Sequence, residues 1–391
     1  YSARDFERHM ILNMLMLSSL MTGGQDTYAY SQQASSRAAE IRTQLAAAAR
    51  QSQPSPGETD ASAASSQIQT AAWEPPSAAI LMADGSDEPL ALAMYLTAML
   101  QSESPTRHAE TTAALNDLSV WNRRYSNAIG DPAETRMGTT STPGHGTLHV
   151  LAFVGQAPEW VPEPAEPTSA ALLVADRILT VTGKHTLPPT IAPVTIGRPQ
   201  TVGRAIPSST IHCRLTHEQT SAGDVIPAAQ RTTESLPEFL PLVDLQATAE
   251  ASYHEHRDEE IGRAIARRIV KKGTVYVLKE TQQVVRNSFV DLAINIAGIM
   301  WEATERPDTR AWRMLPARID LSSVELPQGT WNAELRTDAS MGGTSAYHLP
   351  VHIQDGRNTL VICFIPDGKL AGNLLVGGAD RATIPLPGTD Q

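Results

Sequence analysis

The sequence predicts an α+β protein in which tetratricopeptide-like helical pairs come first and a β-rich part with an inserted helical hairpin follows. Three observations carry this. Up to about residue 128 the apolar residues recur three and four apart, the period of a helix face. From residue 147 onward, short apolar runs are bounded by Gly and Pro, the punctuation of strands and turns. The stretch 304–316, Thr-Glu-Arg-Pro-Asp-Thr-Arg-Ala-Trp-Arg-Met-Leu-Pro, joins the two periods. Upstream of it Phe289, Leu292, Ile296, Ile299 and Met300 have helical spacing. Downstream Ile319, Leu321 and Val324 lead to the turn Leu326-Pro327-Gln328-Gly329. Pro307 and Pro316 push Arg306 and Leu315 out of the helical region, marking a helix end and a strand entry.

The helical part, 1–128, opens with a helix over 5–22 whose apolar surface includes Phe6, Met10, Leu12, Leu15, Met16 and Leu20. Gly23-Gly24-Gln25-Asp26 stops it and caps a second helix over 27–50. Leu20, Gly24, Tyr28 and Ala29 stand where a tetratricopeptide unit places its turn glycine, its aromatic and its small residue. Residues 51–77 are Ser, Ala, Gln, Pro and Gly without a period, the composition of a flexible insertion. A second pair is expected at 89–102 and 106–125, with Pro89 in a first turn and Ser104-Pro105 as the break. Two such units leave an apolar end that a solenoid would normally cap. Met10, Leu12, Met14, Leu15 and Met16 are therefore the candidate interaction surface, expected to be covered by chain before Tyr1 or by another subunit.

A Gly, Thr and Pro-rich linker over 129–146 precedes the β-rich part, 147–391. Strands are expected at 148–154, 190–196 and 209–216 and around Val225. The segment 156–167, with four prolines, reads as an exposed loop, and 168–180 as a short helix. A longer helix is expected to begin by about Asp258, its acidic start and its basic Arg267-Arg268 and Lys271-Lys272 complementing the helix dipole. The end of the chain reads as a strand meander, 317–324, 329–336, 345–353 and 359–366, with Asp355-Gly356 as a hairpin turn and a further strand near 374–376.

The pattern Thr304-Glu305, Asp308-Thr309-Arg310, Trp312, Leu315-Pro316, then Leu326-Pro327 and Gly329 resembles a poorly characterised family of bacterial envelope lipoproteins. The likeness is most specific over 255–336. It implies tetratricopeptide-like helices, a β-rich domain with a helical hairpin at about 257–304, and a lipid-anchored extracytoplasmic setting. It also carries the long helix through Gly273 to about Val285, although Thr274-Val275-Tyr276-Val277-Leu278 alone has strand composition. The family lends no catalytic residues. Its partners would be other envelope proteins in a multi-subunit assembly.

A formal charge of −11 and a pI near 5.5 argue against a broad nucleic-acid surface, which needs clustered Lys and Arg. The longest apolar run near the start, 10–17, is too short to span a bilayer, so membrane contact is expected only through an anchor upstream of Tyr1. Cys213 and Cys363 read as two buried thiols in preference to a disulfide. His254-Glu255-His256 lacks a third ligand at metal spacing, and His348 and His352 lie too far apart on a strand to share an ion. No serine elbow, phosphate loop or dinucleotide fingerprint is present. No catalytic, cofactor-binding or metal residue is therefore assigned. Glu305, Asp308, Arg310, Trp312 and Pro316 are read as a structural joint, with Trp312 packed on the hairpin and Asp308 and Arg310 bonded to each other or to backbone.

Three functions fit: a non-enzymatic envelope scaffold, a structural subunit of a surface or periplasmic complex, and a glycan- or peptide-binding module or enzyme. A pocket with apolar walls and converging polar groups favours the third. Flat exposed apolar patches favour the first two.

Overall fold

The computed structural model describes residues 4–22, 26–51, 87–129, 135–181, 193–217, 232–281, 307–338 and 345–378. Helices α1 (Asp5–Thr22) and α2 (Thr27–Gln51) form the first pair. The second is α3 (Pro89–Ser102) with α4 (His108–Trp121), followed by the short α5 (Arg123–Ile129). Pro89 sits in the first turn of α3, where a missing N–H costs nothing. Thirteen of its fourteen residues are buried, which explains why α3 is apolar all round.

The expected second helix of that pair is broken at Asn122, which leaves the helical region at φ −140° and ψ 85°. Its side-chain Oδ1 accepts the Tyr125 N–H at 2.8 Å and so starts α5. Its amide donates to the carbonyls of Leu242 and Pro241 and to Glu88. Position in the tertiary fold, not local propensity, makes this break.

Two sheets pack face to face. The larger has the order β11 (Ala371–Gly378), β10 (Asn358–Ile365), β1 (His145–Val154), β7 (Arg318–Pro327), β6 (Leu240–Asp244). Its β1 and β10 run parallel, and its other neighbours are antiparallel. The smaller has the order β5 (Thr233–Ser235), β4 (Ile211–His217), β8 (Gly329–Thr337), β9 (Ser345–Ile353). On β1, Leu148, Val150, Ala152 and Val154 face the smaller sheet, together with Val361 and Cys363 of β10, and meet Trp331 of β8 there. Leu151 and Phe153, one residue out of phase, face the helices with Ile319, Leu321 and Leu360. A strand covered on both faces reads as a continuous apolar run, as 148–154 does.

A separate ribbon pairs β2 (Gln156–Ala165) with β3 (Val194–Val202). Residues 156–165 are thus a strand and not the exposed loop expected from their prolines. Among the described residues β2 is paired on one side only, where residues lacking an N–H are tolerated, and its Trp160 is buried. The helix expected at 168–180 is α6 (Ser169–Val181). It lies on α7 (Leu245–Thr281), where a Cβ on Gly262 would sit 2.7 Å from the Ala171 carbonyl oxygen. Only glycine lets the two helices come that close.

Helix α7 starts thirteen positions before Asp258. Asp244 caps it, its carboxylate accepting the Ala247 N–H at 3.0 Å. Asp258 is inside the helix and accepts the Thr168 hydroxyl at 2.7 Å, while Thr168 caps α6. The backbone is helical through Gly273 to Thr281, despite the strand composition of 274–278. The second arm of the expected hairpin lies outside the described residues, as do Val225 and the insertion at 52–77.

The terminal strands are not a meander. β8 and β9 belong to the smaller sheet and β7 and β10 to the larger, so Asp355-Gly356 is a corner between sheets and not a hairpin. Gly356 has φ 67° and gives its N–H to the His145 carbonyl at 2.8 Å. Nor do residues 135–146 separate two bodies. Gly138 N–H bonds to Asn358, and Thr139 bonds to the Ser102 carbonyl. One apolar cluster runs from Phe6 and Leu96 through Leu151 to Ile362.

Candidate functional site

The expected interaction surface on α1 is largely internal. Met10 and Met16 are fully buried and Leu12 and Met14 partly so, against α2, α3, α7 and β11. Asn13, the polar residue within that apolar run, donates to the Pro89 carbonyl at 2.7 Å and ties α1 to α3. Only Ile11 and Leu15, 45% and 41% exposed, remain outside. The cover that the apolar excess requires comes from this chain.

The joint is partly as expected. Arg310 donates to both carboxylate oxygens of Asp308 at 2.8 and 2.7 Å, which holds the Asp308 carboxyl down to about 2. Pro316 is buried, and Glu305 lies outside the described residues. Trp312 is only half buried. Its anchor is instead the backbone: Trp312 N–H donates to Glu7 at 3.0 Å, and the other Glu7 oxygen accepts Arg4 N–H at 2.9 Å. Glu7, 2% exposed on α1, fixes the joint to the first helix.

Next to Glu7, Arg4 and Arg8 line a cleft of ≈ 920 Å³. Its walls are the start of α1, one face of α7, the β2–β3 ribbon, α6 and Pro307-Asp308. Trp160, Ile178, Ile196, Tyr253 and Ala266 supply apolar surface. The Arg4 guanidinium stacks 3.3 Å from the Trp160 ring centroid, a cation–π contact beside the bare backbone of Gly197. Arg4, just before α1, and Arg8 within it are one turn apart, as are Arg263 and Arg267 on α7, so each pair shares a face.

Three carboxylates enter the cleft, each beside an arginine: Glu260 is 4.0 Å from Arg4, Glu259 pairs with Arg263, and Asp308 with Arg310. Burial raises the pKa of Glu260, an effect opposed by Arg4, Arg263, His256 and Arg267. Four basic groups thus surround one half-buried carboxyl. His256 Nδ1 bonds to the Ser252 backbone carbonyl at 3.0 Å, an ordinary helical contact.

The remaining buried polar groups serve packing. Tyr95 Oη lies 2.7 Å from His149 Nδ1, and His149 Nε2 lies 3.1 Å from Asn358 Oδ1. Asn358 then donates to Met99 O and Ser102 Oγ, which locks α3 to β1 and β10. Burial lowers the pKa of His149 to about 4, so the ring is neutral. Cys213 and Cys363 are free and buried between the sheets, the Cys213 thiol pushed up to about 12 by burial. His212 pairs with Asp338, and His348 and His352 are exposed on β9. Among the described residues, no three His, Cys, Asp or Glu side chains gather where they could hold a metal ion.

The sequence signals for this cleft are faint. Its residues come from six separated segments, and Trp160 sits in a stretch whose prolines argue for a loop. The basic run on α7 is explained by the dipole alone until the fold brings α1 opposite. The chain matches no protein-family model, no curated protein and no solved structure.

Proposed function

We propose that this protein is a non-enzymatic, peptide-binding interaction subunit of a bacterial cell-envelope assembly, and that it engages its partner through the cleft between α1 and α7. The observation that carries this reading is the cleft itself, which combines apolar walls with converging polar groups. Its carboxylates are each held by an arginine, and its histidine is turned to a backbone carbonyl. Such a lining is suited to recognition, since a general base must reach a proton on a nucleophile or substrate.

The helical pairs α1–α2 and α3–α4 are read as tetratricopeptide-like units, of which the start of α1 lines the cleft with Arg4 and Arg8. The extracytoplasmic setting, the envelope partners and a lipid anchor preceding Tyr1 rest on the resemblance over 304–329. The charge of −11 supports a role without nucleic acid. A structural-subunit role is the second reading, favoured by Ile11 and Leu15, exposed one turn apart on α1.

In-cell photo-cross-linking tests the proposal. A photoreactive residue at Ser252, in the cleft, is expected to give one defined adduct with an envelope protein. The same residue at Leu375, 40% exposed on β11, is expected to give none. Adducts from Leu375 and not from Ser252 would move the contact to the α1–β11 side and favour the structural-subunit reading.

A further inference from the structure

We infer that the ligand of this cleft is an extended acidic peptide segment of the partner, with apolar residues between its carboxylates; this rests on the interaction role proposed above. Length is the first argument. The cleft face of α7 runs from Ser252 to Arg267, about 22 Å at 1.5 Å per residue. A strand of about six or seven residues spans that distance at roughly 3.3 Å each. A compact small molecule would leave most of it empty.

Charge is the second argument. The chain as a whole carries −11, yet four arginines line this cleft against three carboxylates. The central carboxyl, Glu260, is surrounded by Arg4, Arg263, His256 and Arg267. A cationic concavity on an acidic protein concentrates field lines and attracts acidic segments. Each guanidinium has five N–H donors, and Arg263 uses one nitrogen on Glu259, so a peptide carboxylate is able to bind the same fork.

The third argument is the wall chemistry. Ile178, partly exposed, offers apolar surface over the buried Ile196 and Ala266 beside the arginines, and Trp160 carries Arg4 on its face. Alternate side chains of an extended peptide point to opposite sides. Carboxylates and apolar side chains placed alternately would therefore meet the arginines and the apolar wall in turn.

Selection from a displayed octapeptide library tests this with the purified chain. Peptides enriched in Asp and Glu alternating with apolar residues are expected. The enrichment should vanish, and the Kd of a selected peptide rise at least tenfold, with Arg263→Ala and Arg267→Ala combined. Both side chains are on the exposed side of α7, so an unchanged melting temperature would show that the variant is folded. Neutral or basic enrichment would overturn the inference, as would enrichment insensitive to the two arginines. Tighter binding to phosphatidylglycerol vesicles or to inorganic phosphate than to any peptide would overturn it too, by assigning the arginines to phosphate. If the Ser252 cross-link forms and the selected peptides are not acidic, the ligand chemistry fails and the interaction role stands. If acidic peptides bind and no cross-link forms, the role fails instead.

Discussion

Glu88 and His149 are buried groups whose protons are set against each other. Burial raises the Glu88 carboxyl from 4.5 to about 7, opposed by its bond to Asp244 N–H. Between those values the folded chain holds a proton that the unfolded chain releases, so the stability from Glu88 is full below pH 4.5 and falls as pH rises to 7. His149 has the opposite sign. Its folded value of about 4 lies below the ordinary 6.5, so stability is lost as pH falls from 6.5 to 4. Each shift corresponds to about 3 kcal/mol. The two slopes offset each other from pH 4.5 to 6.5. Glu88→Gln is expected to unmask the histidine: urea midpoints should climb from pH 4.5 to 6.5 in the variant and stay level in the parent. A difference between the two proteins that does not vary with pH would refute this. Glu7 gives a second case. Glu7→Ala leaves Trp312 N–H without its acceptor and should cost about 1–3 kcal/mol in denaturant unfolding. Glu7→Gln keeps one acceptor oxygen but turns an NH2 to the other N–H, so it should lose less than Glu7→Ala; an equal loss would show that both carboxylate oxygens are needed.

Elements were legible where local pattern and burial agree. The limits of α3 follow from Pro89 and Ser104-Pro105, and β9 runs from Ser345 to Ile353 as its alternation indicates. They were not legible where a distant partner decides. Nothing local distinguishes Asn122 from a mid-helix asparagine, and its break exists because β6 presents the Pro241 and Leu242 carbonyls to it. Likewise the prolines of β2 argue against a strand until one edge is known to be unpaired, and Asp355-Gly356 looks like any hairpin turn until its strands enter different sheets. The cleft was hidden for the same reason, since Arg4, Trp160 and Arg263 meet only in three dimensions. Asn122→Ala tests the tertiary origin of the helix break. It removes the cap of α5 and the partner of two β6 carbonyls, a loss of about 2–3 kcal/mol. If helix content rises while stability falls, α4 and α5 have fused and the break was imposed by β6. Unchanged stability would place its cause elsewhere.

On the scale of the whole molecule, the sequence divides into a helical part, a linker and a β-rich part. The apolar cluster instead passes through α1, α3, β1, β7 and β10 without interruption. α3 is its axis, with Tyr95 bonded to His149 and the Met99 carbonyl held by Asn358. A fragment ending at residue 128 would lose both bonds and expose the sheet-facing side of a helix buried nearly all round, so Leu92, Leu96 and Met99 would have to find other cover. That fragment is expected to aggregate or to keep helical circular dichroism without a cooperative melt, and residues 147–391 alone should fare no better, because Leu151, Phe153 and Leu360 lose the helices. The full chain should unfold in one transition, with far-ultraviolet dichroism and tryptophan fluorescence giving the same midpoint, because the helix-facing and inter-sheet cores share β1 and β10. Two separated midpoints, or a fragment 1–128 that melts cooperatively near the temperature of the intact chain, would show that the linker divides two independent domains after all. In that case α1 would again need a partner from outside the chain.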